Sequence, residues 1–355
     1  MPSISKQKLT DSFESSPRLN SPVARFNLLQ GLTPQEYLMQ AIASSQQDPA
    51  ELWQRVESKI PETETIQGVE FRRFNWERFD PTKPVLVQLL GFEATLQKGS
   101  IAYQGYKIAE ACEMPMISFN TPGTGRSVVP NKSARARARI GVFSGIMEGP
   151  TKVLRECGVE LINIVGFSFG SELAMGLAIA AADQKIKVEK VFVMASPSEL
   201  KRSRRQLLNA EKVQQALYTS DHLHPYNGEH VGAYGYGESF LGGIALELAD
   251  LGRYFRHPGV ILDYAKGMSM GSALDQRTEA MNRHPNLDIT IGVLTNDTVA
   301  PAGSTLENAQ RLKREFPNRV SYFMLHGEDH GFEDQTERYA HFVKKVLASK
   351  TSSSL

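Results

Sequence analysis

The chain has 355 residues, 41% of them hydrophobic and 22% charged, enough for one large domain with an insertion and for a sizeable buried core. Its formal net charge of +1 gives no electrostatic case for nucleic acid or an anionic membrane as a partner, and the short basic run Lys201–Arg205 reads as a solvated helix face. The two cysteines, Cys112 and Cys157, do not make a disulfide framework. They read as structural thiols in a reducing compartment, and no Cys or His cluster has metal-ligand spacing.

In chain order, Met1 to Asn20 is polar and has no signal-like apolar run, and residues 1–24 read as a flexible tail. Two helical pieces follow. One begins at Thr33-Pro34 and runs through Ala43; the other begins at Asp48-Pro49 and sets Leu52, Trp53 and Val56 on one face. Together, residues 1–65 form an N-terminal extension that either packs over the core or assists homo-oligomer formation. No stretch approaches the ~18 apolar residues that span a bilayer, so the expected location is the cytoplasm.

From residue 66 the pattern becomes regular. Gly68–Phe74 predicts an antiparallel edge strand. Short apolar runs then recur at Pro84–Leu90, Pro115–Phe119, Glu160–Val165, Lys190–Ala195, Asp288–Leu294 and Val320–Leu325. Helical stretches at Gly99–Cys112, Ala134–Glu156, Ser171–Ala182 and Thr305–Phe316 separate them, and Glu337–Leu347 closes the chain. Apolar strands alternating with helices predict an α/β fold with a mostly parallel sheet covered on both faces. Between Pro197 and Asn286 there is no buried strand, only helical pieces such as Leu207–Ala216 and Ile244–Phe255. The predicted organisation is therefore a core of residues 66–196 and 287–355 with a helical cap at 197–286.

Gly166-Phe167-Ser168-Phe169-Gly170 matches G-x-S-x-G, a nucleophile elbow when a buried strand enters it and a helix leaves it. Gly267-Met268-Ser269-Met270-Gly271 matches as well, so context has to separate the two. Leu161–Val165 is an apolar run of strand length, and the small-residue stretch Ser171–Ala182 suits a helix packed closely on a sheet. Before Ser269 the sequence is mixed and charged, and too little chain remains after it for a helix, a strand and a cap. Ser168 is the expected nucleophile, and Ser269 belongs to a Gly-rich turn of the cap.

A serine hydroxyl becomes nucleophilic when a histidine takes its proton and a carboxylate holds that histidine. At such an elbow the acid and then the base follow in the chain, each beyond a strand end. Asp297 lies just past Asp288–Leu294 and is the expected acid, its alternative role being an Asx turn. Glu199, after Lys190–Ala195, is the fallback. Of the late histidines, His330 lies in the loop before the last helix and is the expected base. His326 still belongs to the strand end, and His341 lies within the amphipathic last helix. The oxyanion needs two backbone N–H donors. Phe169 supplies one by construction, and Phe92, in the loop that Gly91 opens after Pro84–Leu90, is the candidate for the other.

Gly91-Phe92, the run Asn120-Thr121-Pro122-Gly123-Thr124-Gly125-Arg126-Ser127, Gly166–Gly170, Asp297 and His330 together resemble the α/β-hydrolase superfamily over residues 66–355. The run after Pro115–Phe119 is similar to a loop that many capped members carry as D-x-R-G-x-G-x-S, from which this chain departs at Asn120 and Pro122. There Arg126 is a candidate for binding a substrate carboxylate or for a structural salt bridge. The resemblance implies a two-step acyl transfer through Ser168 on a small-molecule substrate, with no cofactor and no metal. It argues against the members of this fold that carry Asp at the elbow. The aromatic, Gly-rich segment Ala233–Phe240 in the cap suggests a partly apolar pocket and hence an ester with an apolar portion. An acyltransferase with the same residues, or a binding protein on the same scaffold, are the alternatives.

Overall fold

In a computed structural model the structure describes residues 58–92, 94–97, 99–202, 252, 256–328, 330 and 336–349. The helical pieces expected at Thr33-Pro34 and Asp48-Pro49, most of the segment 197–286 with Ala233–Phe240, and Gly331-Phe332 lie outside the described residues.

Among the described residues, eight strands form one sheet in the order β1-β2-β4-β3-β5-β6-β7-β8. They are β1 (Glu64–Ile66), β2 (Val69–Phe74), β3 (Val85–Leu89), β4 (Met116–Phe119), β5 (Leu161–Phe167), β6 (Lys187–Met194), β7 (Asp288–Leu294) and β8 (Val320–Leu325). From β4 through β8 every pairing is parallel, whereas β1–β2 and β2–β4 are antiparallel. All six apolar runs therefore become parallel strands. The antiparallel strand expected over Gly68–Phe74 is present as β2, but it is not at the edge. The three-residue β1 pairs outside it through a tight turn at Gln67-Gly68, both with positive φ (50° and 76°), a geometry that favours glycine.

The helices among the described residues are α1 (Gly99–Cys112), α2 (Lys132–Ala138), α3 (Glu148–Glu156), α4 (Phe169–Asp183), α5 (Pro258–Met268), α6 (Ala273–Arg283), α7 (Ala302–Glu315) and α8 (Thr336–Ala348). Successive side chains of a strand point to opposite faces, and the core divides accordingly. Val85, Val87 and Leu89 join one apolar cluster with α3, α4, α5 and α6, while Leu86, Met116, Phe192 and Met194 join a second with α1 and α8. The sheet is thus covered on both faces.

The single helix expected over Ala134–Glu156 is instead two helices with a 3-10 turn at Ser144–Ile146 between them. Asn131 caps α2 by accepting the N–H of Ala134 at 2.8 Å. Gly141 then turns the chain at φ 82°, packed against Ser272 so closely that no side chain fits. Within the segment expected as the cap, α5 packs on α2, and α6 packs on α4 and α7 as the crossover between β6 and β7. Among the described residues no helix is long and apolar enough to cross a membrane. Both cysteines are free and half-buried, and burial pushes the Cys112 thiol up to about 12.

Candidate active site

β5 runs into Gly166 and Phe167, and α4 leaves at Phe169, so Ser168 stands at the sharp turn between strand and helix. Its backbone is strained, with φ 52° and ψ −127°. A Cβ on Gly166 would overlap the carbonyl of Gly170, and one on Gly170 would overlap the carbonyl of Leu89 at the end of β3. Only glycine lets the turn close at both places. The Ser168 N–H donates to the Met194 carbonyl at 3.0 Å, and Ser171 Oγ sits 2.9 Å from Gly166 O and 2.7 Å from Met194 O, tying the turn to β6.

Three side chains meet here. His330 Nε2 lies 2.8 Å from Ser168 Oγ, and His330 Nδ1 lies 2.8 Å from Asp297 Oδ2. Asp297 is buried in the loop after β7, and its Oδ1 accepts the N–H groups of Val299 at 2.8 Å and Ala300 at 2.7 Å. The two readings of Asp297 are thus divided between its two oxygens, one closing an Asx turn and the other facing the imidazole. The His330 ring packs on Phe167, ring centroids 5.4 Å apart, and Phe167 in turn packs edge-on against Tyr339 of α8.

The alternatives lie elsewhere. Glu199 sits in a 3-10 turn after β6, paired with Arg277, and its Oε2 accepts from Asn308 Nδ2 at 2.9 Å. Ser269 is buried at the C-terminal cap of α5, where its Oγ donates to the Lys266 carbonyl at 2.7 Å; a helix, not a strand, leads into it. His326 is exposed, and His341 is half-buried in α8, where burial and then Lys345 and Lys344 lower its pKa.

As the first residue of α4, Phe169 has an N–H with no partner among the described residues. Its ring is buried between Phe92 (6.1 Å, edge-on), Phe143 (5.4 Å, edge-on) and Tyr264 (5.3 Å), and the Tyr264 hydroxyl donates to the Pro122 carbonyl. The Phe92 contact sets the loop opened by the buried Gly91 beside the elbow. Arg126 is exposed, and its guanidinium makes no hydrogen bond or ion pair among the described residues; its backbone N–H donates to Glu70. Sequence reading missed Glu70 and Glu172, both buried carboxylates close to these loops.

No protein-family model matches the chain, and no curated protein matches it in sequence. Among solved structures it is similar to a bromoperoxidase from Bacillus anthracis, with 16% identity over 79% of this chain and 94% of that one, TM-score 0.50. The enol-lactonase from Burkholderia xenovorans LB400 matches at 15% identity over 81% of this chain and 100% of that one, TM-score 0.50. An acetylester hydrolase from Corynebacterium glutamicum matches at 15% identity over 80% and 90%, TM-score 0.50. A parallel sheet that presents a serine on a strand–turn–helix elbow defines the class. The protein has the α/β-hydrolase fold.

Proposed function

We propose that this protein is a serine hydrolase that cleaves a carboxylic ester or related acyl bond of a small, partly apolar molecule. One observation carries the reading: Ser168 Oγ, His330 and Asp297 form a continuous chain of two 2.8 Å contacts at a strained elbow. In the proposed reaction His330 Nε2 takes the Ser168 hydroxyl proton as the oxygen attacks the acyl carbon. Asp297 holds the ring with its proton on Nδ1 and stabilises the imidazolium that forms. The Phe169 N–H and, from the Gly91 loop, the Phe92 N–H receive the oxyanion. The tetrahedral adduct collapses, and the leaving alkoxide takes the proton from His330. Water then repeats the sequence on the acyl-enzyme, giving the free acid and restoring Ser168. No step requires a cofactor or a metal.

Residues 66–196 and 287–355 are assigned in this reading to the catalytic core; of the 197–286 expected as a cap, α6 packs in the core on α4 and α7, and the part before it is assigned to a cap that shapes the substrate site. Arg126, exposed and without an ion-pair partner among the described residues, is assigned to an anionic part of the substrate. The acetylester hydrolase and the enol-lactonase to which the chain is similar support acyl chemistry on this fold, although fold by itself does not define a reaction. Labelling with a fluorophosphonate probe tests the reading. Wild type and Ser269→Ala are expected to take the label and Ser168→Ala to lose it; full labelling of Ser168→Ala overturns the proposal. A series of p-nitrophenyl esters of rising chain length then sizes the acyl site.

A further inference from the structure

Three N–H donors converge on one buried carboxylate beneath the loops that follow β3 and β4. Glu70, fully buried on β2, accepts Gln97 Nε2 at 2.5 Å on Oε1, and Asn120 Nδ2 at 2.6 Å and the Arg126 N–H at 2.7 Å on Oε2. Its own backbone is tied to the same loop: the Glu70 N–H donates to Ser127 Oγ at 2.9 Å, and its carbonyl accepts the Asn120 N–H at 3.0 Å. Asn120 passes the tie onward, because its Oδ1 accepts the Leu96 N–H at 2.8 Å. Gly125, at φ 55°, closes the loop over this point, where a Cβ would stand 2.7 Å from Glu70 Oε2. Arg72, buried two residues along the same strand, gives the carboxylate a cationic neighbour.

A carboxylate is acceptor-only, so it satisfies three converging donors without presenting a donor of its own. The arrangement accounts for the departure from the D-x-R-G-x-G-x-S pattern. With Glu70 supplying the carboxylate from β2, an Asp at 120 would set two carboxylates against each other, whereas Asn120 donates to Glu70 and still accepts from Leu96. The segment tied down in this way is short. It opens at Gly91-Phe92, is anchored by the buried side chains of Leu90, Ala94 and Leu96, and ends at Gln97.

We infer that Glu70, acting through Asn120 and Gln97, is a positioning residue: by holding Leu96 and Gln97 it keeps the loop that Gly91-Phe92 opens beside the elbow, and with it the Phe92 N–H proposed as an oxyanion donor; this rests on the serine hydrolase reading. A misplaced donor weakens the transition state more than substrate binding, so the effect belongs in kcat. The test is p-nitrophenyl acetate hydrolysis, with the rate of fluorophosphonate labelling alongside, for wild type, Asn120→Ala and Glu70→Gln.

Since removing a whole oxyanion donor costs roughly 10²–10³ in kcat, Asn120→Ala is expected to lose about 10- to 100-fold in kcat with KM within about threefold. In Glu70→Gln the amide oxygen still accepts from Asn120 and the Arg126 N–H; Gln97 keeps its tie by turning its amide, which gives up the longer 3.3 Å bond from Asn120 Nδ2 to Gln97 Oε1, so kcat is expected to stay within about fivefold. Unchanged kcat in Asn120→Ala, or a rise in KM alone, overturns the inference. Where thermal melting shows Asn120→Ala unfolded, Gln97→Met takes its place. It cuts the direct tie at a half-buried position, and a kcat equal to wild type then overturns the inference. A wild-type chain that neither hydrolyses the ester nor takes the label overturns the hydrolase reading and the positioning role together. An active wild type with unaffected variants overturns the positioning role alone.

Discussion

His330 Nδ1 and Asp297 Oδ2 stand 2.8 Å apart, while the other oxygen of Asp297 is held by the N–H groups of Val299 and Ala300. The carboxylate is fixed by its own loop, so it can orient the ring without moving. Replacing Asp297 by Asn presents an NH₂ group or an uncharged oxygen to Nδ1. The first reverses the imidazole tautomer and leaves Nε2 protonated, and neither stabilises an imidazolium. In the proposed mechanism Asp297→Asn is expected to lower kcat about 10³- to 10⁴-fold with little change in KM. Steady-state hydrolysis of p-nitrophenyl acetate checks this, and a loss below about tenfold would remove Asp297 from the role.

Glu199, the other buried carboxylate beyond a strand end, is expected to be structural in the proposed reading. It is buried against Arg277, whose Nε and Nη1 find no acceptor among the described residues, and it also takes the Asn308 amide. Removing one partner of a buried pair strands the other charge. Glu199→Gln is therefore expected to cost about 3–5 kcal/mol of stability in urea unfolding while kcat of the folded variant stays within about threefold. A collapse of kcat with unchanged stability would instead make Glu199 the acid.

Ser269 carries the same five-residue motif in a different setting. Its hydroxyl caps a carbonyl at the end of α5, and its surroundings are helical and buried. Ser269→Ala loses one hydrogen bond and is expected to lower stability by about 1 kcal/mol, with hydrolysis unchanged. Chemical denaturation together with ester hydrolysis reads both quantities, and loss of turnover in a stable Ser269→Ala would contradict the assignment.

What the sequence made legible follows from how local each signal is. The parallel strands are near-continuous apolar runs, as double-sided burial demands, and the elbow combines such a run with two glycines at fixed spacing. Asp297 and His330 are read from chain order beyond strand ends, and both side chains lie at Ser168, 2.8 Å apart at each step. The break between α2 and α3 was not legible, because the reason for it is tertiary: Gly141 turns against Ser272, far along the chain. β1 is only three residues long and carries no periodicity. Glu70 was hidden for a related reason. In Val69-Glu70-Phe71 it reads as the solvent-facing member of an alternating strand, but β2 lies between β1 and β4 with loop 120–127 folded over that side.

Glu172, in the first turn of α4, is fully buried beside the elbow, where its carboxylate meets Ser196 Oγ and accepts Gln276 Nε2 at 2.9 Å. Burial raises its pKa above the ordinary 4.5, with the nearby Glu199 adding to the rise and Ser196, Ser198 and Arg277 opposing it. The folded chain therefore holds this proton at pH values where the unfolded chain has lost it. Its contribution to stability is fully present below the unfolded pKa and is lost as pH rises from there through the raised folded value. Glu172→Gln keeps an acceptor for Gln276 and a group of the same shape for Ser196, but it does not titrate. Melting temperatures of wild type and Glu172→Gln across pH 4.5 to 8 are expected to show the wild type losing ground as pH rises, with the variant equal or more stable near neutrality. A difference that does not vary with pH would mean that Glu172 has the same charge in the folded and unfolded chain.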